Sequence, residues 1–233
     1  MNSKPEPNYP AREWHLVIGV SGASGALYAR ALVRALSQYV VGASDLIVSP
    51  AALRVAQAEL GFTSHDARQW LQECLAGLDA DSSPHQFTIC DHSNIGARAA
   101  SGSVPHDGML IVPCSMKSLA GIAHGYTTNL IERAADVCLK ERRPLVLMPR
   151  ESPYNAIHLQ NMQTITAAGG IVLPASPGFY QLPRTLEDLA NNLVSRALAL
   201  VGLEAKLLRD LAQPYAETQS PVAAPNASQS QAG

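Results

Sequence analysis

The chain has 233 residues, of which 47% are hydrophobic, 15% are charged and 5% are aromatic. Its formal net charge is −2, and the only concentrated positive charge, Lys140–Arg143, is too local to bind a polyanionic backbone, which argues against a nucleic-acid partner. No run approaches the roughly 20 apolar residues of a membrane span. The four cysteines form no CxxC pair and the N-terminus has no apolar signal segment, so we expect a cytoplasmic protein with reduced thiols.

Apolar runs of strand length alternate with helical signals along most of the chain. The first strand, Trp14–Ser21, leads through a Gly-Ala-Ser-Gly turn into a helix from Ala26 to about Gln38. Further strands are predicted at Asp45–Ser49, Phe87–Cys90, Met109–Pro113, Leu145–Met148 and Ile171–Leu173. Further helices are predicted from Pro50, across Trp70 and Leu71, near Ser115–His124, from Asn129 to Pro144, across His158 and Met162, and at Leu186–Val201. This alternation predicts a doubly wound α/β fold, Rossmann- or flavodoxin-like, with a mostly parallel sheet, helices on both faces and three layers.

The composition changes at both ends of the chain. Residues 1–12 are polar and rich in proline, and residues 213–233 are Pro, Ala, Ser and Gln without periodicity. We therefore predict a disordered N-terminal tail and a flexible C-terminal tail around a single domain at 13–212.

The segment 129–151 is the most informative part of the sequence. It predicts a helix that starts at an Asn cap, with Glu132 three residues on as in a capping box, and ends in basic residues from Lys140. A buried strand follows and brings Arg150 and Glu151 to its carboxyl end. Ligands of open α/β sheets bind at that edge, and charges there are costly to desolvate without a partner. The segment therefore indicates an anionic ligand combined with proton chemistry.

The first strand-to-helix turn has the character of a phosphate site. Gly22 and Gly25 allow close backbone approach, and the helix N-terminus offers N–H groups to a phosphate. The turn is not a GxGxxG fingerprint, and Ser49-Pro50 stands where a ribose-binding acidic residue would end the second strand. This favours a ligand with a single phosphate over a dinucleotide. A merely tight turn explains the same residues about equally well.

From the residues alone, the other polar groups have ordinary structural explanations. Ser115 suits a helix cap, and Cys114 suits a small buried hydrophobe. Arg133, Asp136 and Lys140 share a helix face and fit a solvated, ion-paired stripe. Glu59 by itself fits a surface carboxylate. The seven histidines show no ligand spacing, so no metal site is expected.

From about Trp14 to Leu203 the chain resembles the flavin prenyltransferases, the UbiX and Pad-type proteins. The matching segments are GVSGASGALY, SGS, PCSMKSLAGIAHGYTTNLIERAADVCLKERRPLVLMPRESP, HLQNM and PASPGFYQLP. The resemblance implies a metal-independent enzyme that joins a dimethylallyl group from dimethylallyl monophosphate to N5 and C6 of reduced FMN. The product would be prenylated FMN, which a UbiD-type decarboxylase uses. The resemblance also implies a homo-oligomer, commonly a dodecamer, with sites where subunits meet.

The resemblance assigns roles by position. The implied FMN-binding residues are Gly22, Ala23, Ser24, Ser49, Cys114, Ser115, Met116, Lys117 and Arg150. The implied catalytic residues are Ser24, Glu59, Lys140 and Glu151. The implied donor-binding residues are Ser101, Arg133, Lys140, Tyr180 and Arg196. Cationic side chains would stabilise the departing phosphate, and Glu151 would give a proton to phosphate and take one from flavin C6. For a carboxylate beside phosphate we expect a raised pKa.

Three positions depart from the family pattern, and two alternative functions have weaker support in the sequence. Pro50 stands where many relatives have Lys, Ile95 where some have Trp, and Tyr215 is the aromatic nearest to a C-terminal Trp of some relatives. One alternative is a flavin-dependent cysteine decarboxylase, but the clamping Pro-x-Met-Asn segment of that class is not in the sequence. The other is a non-catalytic flavin carrier, which would not require Glu59, Lys140, Glu151 and Arg196 together.

Overall fold

The computed structural model describes residues 12–79 and 82–203. The predicted tails before residue 12 and after residue 212 lie outside the described residues, as does the end of the predicted domain, 204–212. Arg12, the last residue of the predicted N-terminal tail, is described. Its guanidinium forms an ion pair with Asp107 and lies over the ring of Trp14, 4.3 Å from the ring centroid.

Six parallel strands form one sheet in the described part of the chain. They are β1 (Trp14–Val20), β2 (Gly42–Val48), β3 (His85–Ile89), β4 (Gly108–Cys114), β5 (Leu145–Pro149) and β6 (Ile171–Val172). Their order is β3-β2-β1-β4-β5-β6, and every neighbouring pair is parallel. The winding direction therefore reverses between β1 and β4, which is the point where such sheets bind ligands. The predicted doubly wound parallel fold is confirmed.

Two strands begin two or more residues earlier than the apolar pattern predicts. β2 starts at Gly42 rather than Asp45 because its first residues pair with both β1 and β3. The hydrophobic pattern of β2 does not reveal these hydrogen-bond partners. β3 starts at His85 rather than Phe87. The His85 imidazole is buried between the Ser44 hydroxyl, at 2.8 Å, and the Val40 carbonyl, at 3.0 Å, and burial lowers its pKa to about 4.

Helices cover both faces of the sheet. They are α1 (Ala26–Tyr39), α2 (Pro50–Leu60), α3 (Ala67–Leu75), α4 (Met116–Ala123), α5 (Leu130–Lys140), α6 (Ala156–Ala167) and α7 (Leu186–Leu200). One apolar core joins α1, α2, α3 and α7 to the sheet, and a second core joins α4, α5, α6 and the short 3-10 helix Arg98–Ala100 to the opposite face. The three predicted layers are therefore present. Within the described ranges, no helix has both the length and the apolar character needed to cross a membrane.

Side-chain caps set the starts of most helices. Ser49, Asp66, Ser115 and Asn129 each accept a hydrogen bond from a backbone N–H in the first turn of the helix that follows, which satisfies one of its free donors. The predicted capping box of α5 is only half formed. Asn129 accepts from the Glu132 N–H, but the Glu132 carboxylate accepts from Thr128 and Lys117 instead of returning to the cap.

Candidate active site

Three helices begin together at the carboxyl edge of the sheet. β2, β1 and β4 are neighbours, and they lead directly into α2, α1 and α4. Because the strands are parallel, the N-termini of all three helices collect at this one edge, and each helix dipole adds positive potential there. Such an edge is suited to a dianionic phosphate.

Hydrogen bonds join the ends of these three strands. The Ser21 hydroxyl donates to the Pro113 carbonyl at 3.0 Å and accepts from the Ser115 N–H at 2.7 Å. The Ser49 N–H donates to the Val20 carbonyl at 2.9 Å. The structure therefore brings together the turn after β1, the cap of α2 and the segment after β4, which contain most of the predicted FMN-binding residues.

Glycine lets the turn after β1 pack closely against α2. A Cβ atom at Gly22 would overlap the side chain of Ala51, and Gly25 has φ 110°, in the left-handed region. Neither position accommodates a larger residue without displacement of the turn. The turn thus has a packing function in addition to any contact with a ligand.

Arg150 and Glu151 follow β5 at the same edge. The Arg150 N–H donates to the Cys114 carbonyl at 3.4 Å, and the Glu151 carboxylate accepts from the Ser152 N–H at 2.9 Å. Both side chains are exposed. The guanidinium is close enough to lower the pKa of Glu59 and to oppose the burial that raises the pKa of Tyr28.

Glu59 caps α1 from the neighbouring helix α2. Its carboxylate accepts from the N–H groups of Gly25, at 2.9 Å, and Ala26, at 2.8 Å. Burial raises the pKa of Glu59, but hydrogen bonds from Ser24, Ala26 and Gly25 and the charge of Arg150 outweigh it, so the pKa lies below its usual value. The rise in pKa that we expect for a carboxylate beside phosphate stays a prediction. The α1 N–H groups that we expected to be free for phosphate are bonded to this carboxylate.

Glu59→Gln is expected to destabilise the start of α1 in a pH-dependent way. In the folded native protein the pKa of Glu59 is lower than the ordinary 4.5, so the charged carboxylate stabilises the fold above pH 4.5. This stabilisation is lost as the pH falls through the pKa of Glu59 in the folded protein. We expect the variant to lose about 0.5–1 kcal/mol at pH 7, by analogy with other helix caps. Urea unfolding of the native protein and the variant, at one protein concentration and at pH 7 and a lower pH, measures the loss in free energy of unfolding. An equal loss at both pH values would contradict the charged-cap interpretation.

Lys117 lies at the start of α4 beside a buried carboxylate. Its ammonium donates to Glu132 at 2.5 Å and to the Thr128 hydroxyl at 3.2 Å. The Glu132 side chain is fully buried, and burial raises its pKa, but Lys117, Thr128 and Asn129 lower it by a larger amount. Lys117 thus already has an ionic partner, and its contact with FMN stays a prediction. The Glu132 partnership was missed in the sequence because the residue also fits a capping box.

The nearby Cys114 and Met116 differ in exposure. Cys114 is buried, as the sequence predicts for a small hydrophobe, and burial raises the pKa of its thiol. Met116 is partly buried against the core of α4 and α5. The whole of Cys114 is 0% exposed and its carbonyl already accepts from the Arg150 N–H, so its contact with FMN stays a prediction.

Lys140 and Ser101 lie at the opposite, amino edge of the sheet. α5 runs antiparallel to the strands and ends at Lys140, just before β5 begins, whereas Arg150 follows the end of β5. At about 3.3 Å per residue, the five residues of β5 separate the two edges by roughly 16 Å. The grouping of Lys140 with Arg150 that the segment 129–151 indicated is therefore wrong for a single chain.

The remaining predicted donor-binding residues are spread over the surface. Arg133, near the start of α5, pairs with Asp136 at 2.7 Å, as the sequence predicts for an ion-paired stripe. Tyr180 is 77% exposed in the segment after β6. Arg196 is exposed near the end of α7, which packs beside the start of β1, where Gly202 approaches Trp14. One chain therefore holds two separate groups of predicted site residues.

Comparison with known proteins identifies the family. A family model described as Flavoprotein matches residues 5–197. The flavin prenyltransferase UbiX of Halalkalibacterium halodurans is 43% identical over 192 residues, which cover 82% of this chain and 89% of the relative. This chain belongs to the UbiX flavin prenyltransferase family. The predicted resemblance is confirmed.

Solved structures of this family have the same fold. The crystal structure of AnUbiX (PadA1) in complex with FMN and dimethylallyl pyrophosphate has a TM-score of 0.72 and 35% identity, covering 84% of this chain and 96% of that chain. A dodecameric FMN-dependent UbiX-like decarboxylase from Escherichia coli O157:H7 has a TM-score of 0.70 and 38% identity, covering 82% and 95%. The peptidyl-cysteine decarboxylase EpiD, at 15% identity and a TM-score of 0.52, shares the fold alone.

Proposed function

We propose that this protein is a flavin prenyltransferase that joins a dimethylallyl group to N5 and C6 of reduced FMN, giving prenylated FMN. The observation that carries the proposal is the carboxyl edge, where three helix N-termini meet beside Arg150 and Glu151 in a chain of the UbiX family. The ligands of the AnUbiX neighbour, FMN and dimethylallyl pyrophosphate, support it.

The carboxyl edge has the chemistry that FMN requires. The N–H groups of α2 and α4 and the Arg150 guanidinium favour the FMN phosphate, and the small residues Gly22 and Ala23 leave room for a flat ring. When it is bound and reduced, FMN supplies two nucleophilic positions, N5 and C6. The chain's own residues position the reactants, exclude water and move protons.

The donor requires positive charge and a proton acceptor. Its allylic C–O bond breaks with both electrons going to phosphate, and Lys140, Arg133 and Arg196 would stabilise that charge in a site closed to water. Glu151 would protonate the phosphate and accept the proton that C6 loses when the new ring closes, and the proton displaced from N5 would be returned to the donor's double bond, whose other carbon then bonds to C6. Ser24 and Glu59, bonded to one another at the start of α1, would order the side of the site nearest N5.

We further propose that each complete site takes residues from two subunits. Lys140 and Ser101 are separated from Arg150 by the length of β5, so the amino edge of one chain would complete the carboxyl edge of another. The dodecameric neighbour supports a homo-oligomer, for which we propose the same subunit number. Among the described residues, several large apolar side chains are exposed at loops and on α6, as expected of subunit contacts: Tyr126, Tyr154, Ile157, Leu159, Phe179 and Leu182.

A UbiD-type decarboxylase is the proposed recipient of the product. We place the reaction in the cytoplasm, where a reducing environment keeps reduced flavin and the four free cysteines in the forms that the proposal requires.

The test is anaerobic incubation of the protein with reduced FMN and either dimethylallyl monophosphate or dimethylallyl pyrophosphate, followed by mass spectrometry of the released flavin. We expect a mass gain of one C5H8 unit, with the monophosphate as the better donor. FMN that binds but returns unchanged with both donors would overturn the proposal and favour a carrier. A parallel incubation with a peptidyl-cysteine would detect the decarboxylase activity.

A further inference from the structure

Arg143 holds a loop at the amino edge of the sheet. The loop, residues 101–104, is called here the Ser101 loop. The Arg143 guanidinium donates to the Gly102 carbonyl at 2.6 Å and to the Val104 carbonyl at 2.9 Å. Two bonds from one planar group to two carbonyls fix the position and the direction of the loop backbone, which a flexible ammonium does not do.

The same loop lies directly against Lys140. A Cβ atom added at Gly102 would stand 2.7 Å from the Lys140 ammonium and 2.5 Å from the Glu141 carboxylate, which are paired with each other. The absence of a side chain at Gly102 therefore allows the Lys140 ammonium to lie directly against the loop backbone. The distance between the Ser101 loop and Lys140 depends on this close packing and on the two bonds from Arg143.

We infer that Arg143 is a positioning residue for the phosphate of the donor, because it holds the Ser101 loop in register with Lys140. This inference rests on the proposed function, in which Lys140 stabilises the charge of that phosphate and Ser101 belongs to the donor site. Arg143 acts through the loop, since both described bonds of its guanidinium go to carbonyls of the loop backbone. Groups that are already held in place bind an anion without the entropy loss of ordering them.

Arg142 provides a matched control. It stands one residue earlier, carries the same charge and is exposed, with φ 56° in the turn between α5 and β5. Arg142→Gln and Arg143→Gln therefore remove the same charge from the same helix end. A purely electrostatic role predicts similar losses in the two variants, whereas positioning predicts a loss only in Arg143→Gln.

The experiment measures the KM for dimethylallyl monophosphate, kcat, the Kd for FMN and the equilibrium binding of the donor to FMN-loaded protein. For Arg143→Gln we expect the donor KM and Kd to rise about tenfold or more, with the Kd for FMN changed less than about twofold. Arg143→Lys is expected to remain impaired, because one ammonium does not reproduce the two-pronged contact. Arg142→Gln is expected to resemble the native protein.

Gly102→Ala tests the same inference with every charge retained. The new methyl would displace the ends of two flexible side chains, so the fold should persist while Lys140 leaves the loop, and the donor KM should rise as in Arg143→Gln. His106 reports the loss of Arg143 independently. Burial first, and then Arg143, lower its pKa, so NMR titration of Arg143→Gln should show a higher His106 pKa.

A native donor KM in Arg143→Gln, or an equal loss in Arg142→Gln, would overturn the positioning role while leaving the prenyltransferase intact. If the native protein neither binds the donor nor makes prenylated FMN, the proposed function itself is wrong and the positioning role is wrong with it. Binding without transfer by the native protein would contradict only the proposed reaction, and the donor Kd values would still decide the role of Arg143.

Discussion

The Glu151→Gln variant is expected to bind FMN as the native protein does and to transfer the dimethylallyl group about 10²- to 10⁴-fold more slowly, the range for loss of a general acid–base group. The amide oxygen of glutamine can keep the bond from the Ser152 N–H, which is 2.9 Å in the native protein, so the backbone at this edge should be preserved. In the proposed reaction, the variant loses the exchange of a proton with phosphate and with C6. Single-turnover formation of prenylated FMN, measured by mass spectrometry, gives the rate.

Glu187→Gln is the control for this experiment. Glu187 is also an exposed carboxylate with a hydrogen-bonded partner, Arg30 at 2.7 Å, but it lies at the start of α7. We expect its rate to remain within about twofold of the native rate, as for a surface ion pair. If Glu151→Gln transfers the dimethylallyl group at the native rate, Glu151 is not the acid–base group, and another residue at this edge must exchange the proton.

Two inactive variants are expected to restore activity when they assemble together. Lys140→Met lacks the cation of the amino edge, and Glu151→Gln lacks the carboxylate of the carboxyl edge. In mixed oligomers, some sites pair an intact Glu151 from one chain with an intact Lys140 from its neighbour. With equal amounts and random assembly, about one quarter of the sites should be complete, so about a quarter of native activity should return.

Differently tagged chains, coexpressed and purified through both tags, supply the mixed oligomers. The control is the double variant, Lys140→Met with Glu151→Gln in one chain, coexpressed with either single variant. No site in these oligomers has both residues intact, so activity should stay at the level of the single variants. Absence of recovery in the first mixture would show that Lys140 and Glu151 do not meet across a subunit boundary.

The fold was predictable where burial alone decides the structure. Met109–Pro113 is a strand because a continuous apolar run can be buried on both faces of a parallel sheet, and it lies within β4. The first residues of β2, Gly42 to Ser44, were missed because their hydrogen-bond partners come from two distant segments. A local pattern carries no information about which strands become neighbours.

At the candidate site, some local roles were predictable from the sequence, and the geometry was less so. Ser115 was expected as a cap, and it caps α4. Lys140 and Arg150 are ten positions apart and were expected in one cluster. Lys140 ends α5 before β5 begins, and Arg150 follows the end of β5, so the two residues lie at opposite edges of the sheet. Glu59 by itself was expected as a surface carboxylate, yet it accepts hydrogen bonds from the distant N–H groups of Gly25 and Ala26. Each error comes from contacts that depend on three-dimensional packing.

The separation of the two edges by β5 has a genetic consequence. In an assembly whose sites are shared, a chain with a damaged amino edge keeps a sound flavin pocket of its own and impairs the pocket of the chain beside it. When intact and mutant alleles are expressed in one cell, a mutation at Lys140 would thus reduce the activity of sites whose flavin pocket belongs to an unmutated chain. The mutation would then lie in one polypeptide, and the impaired flavin site would lie in another.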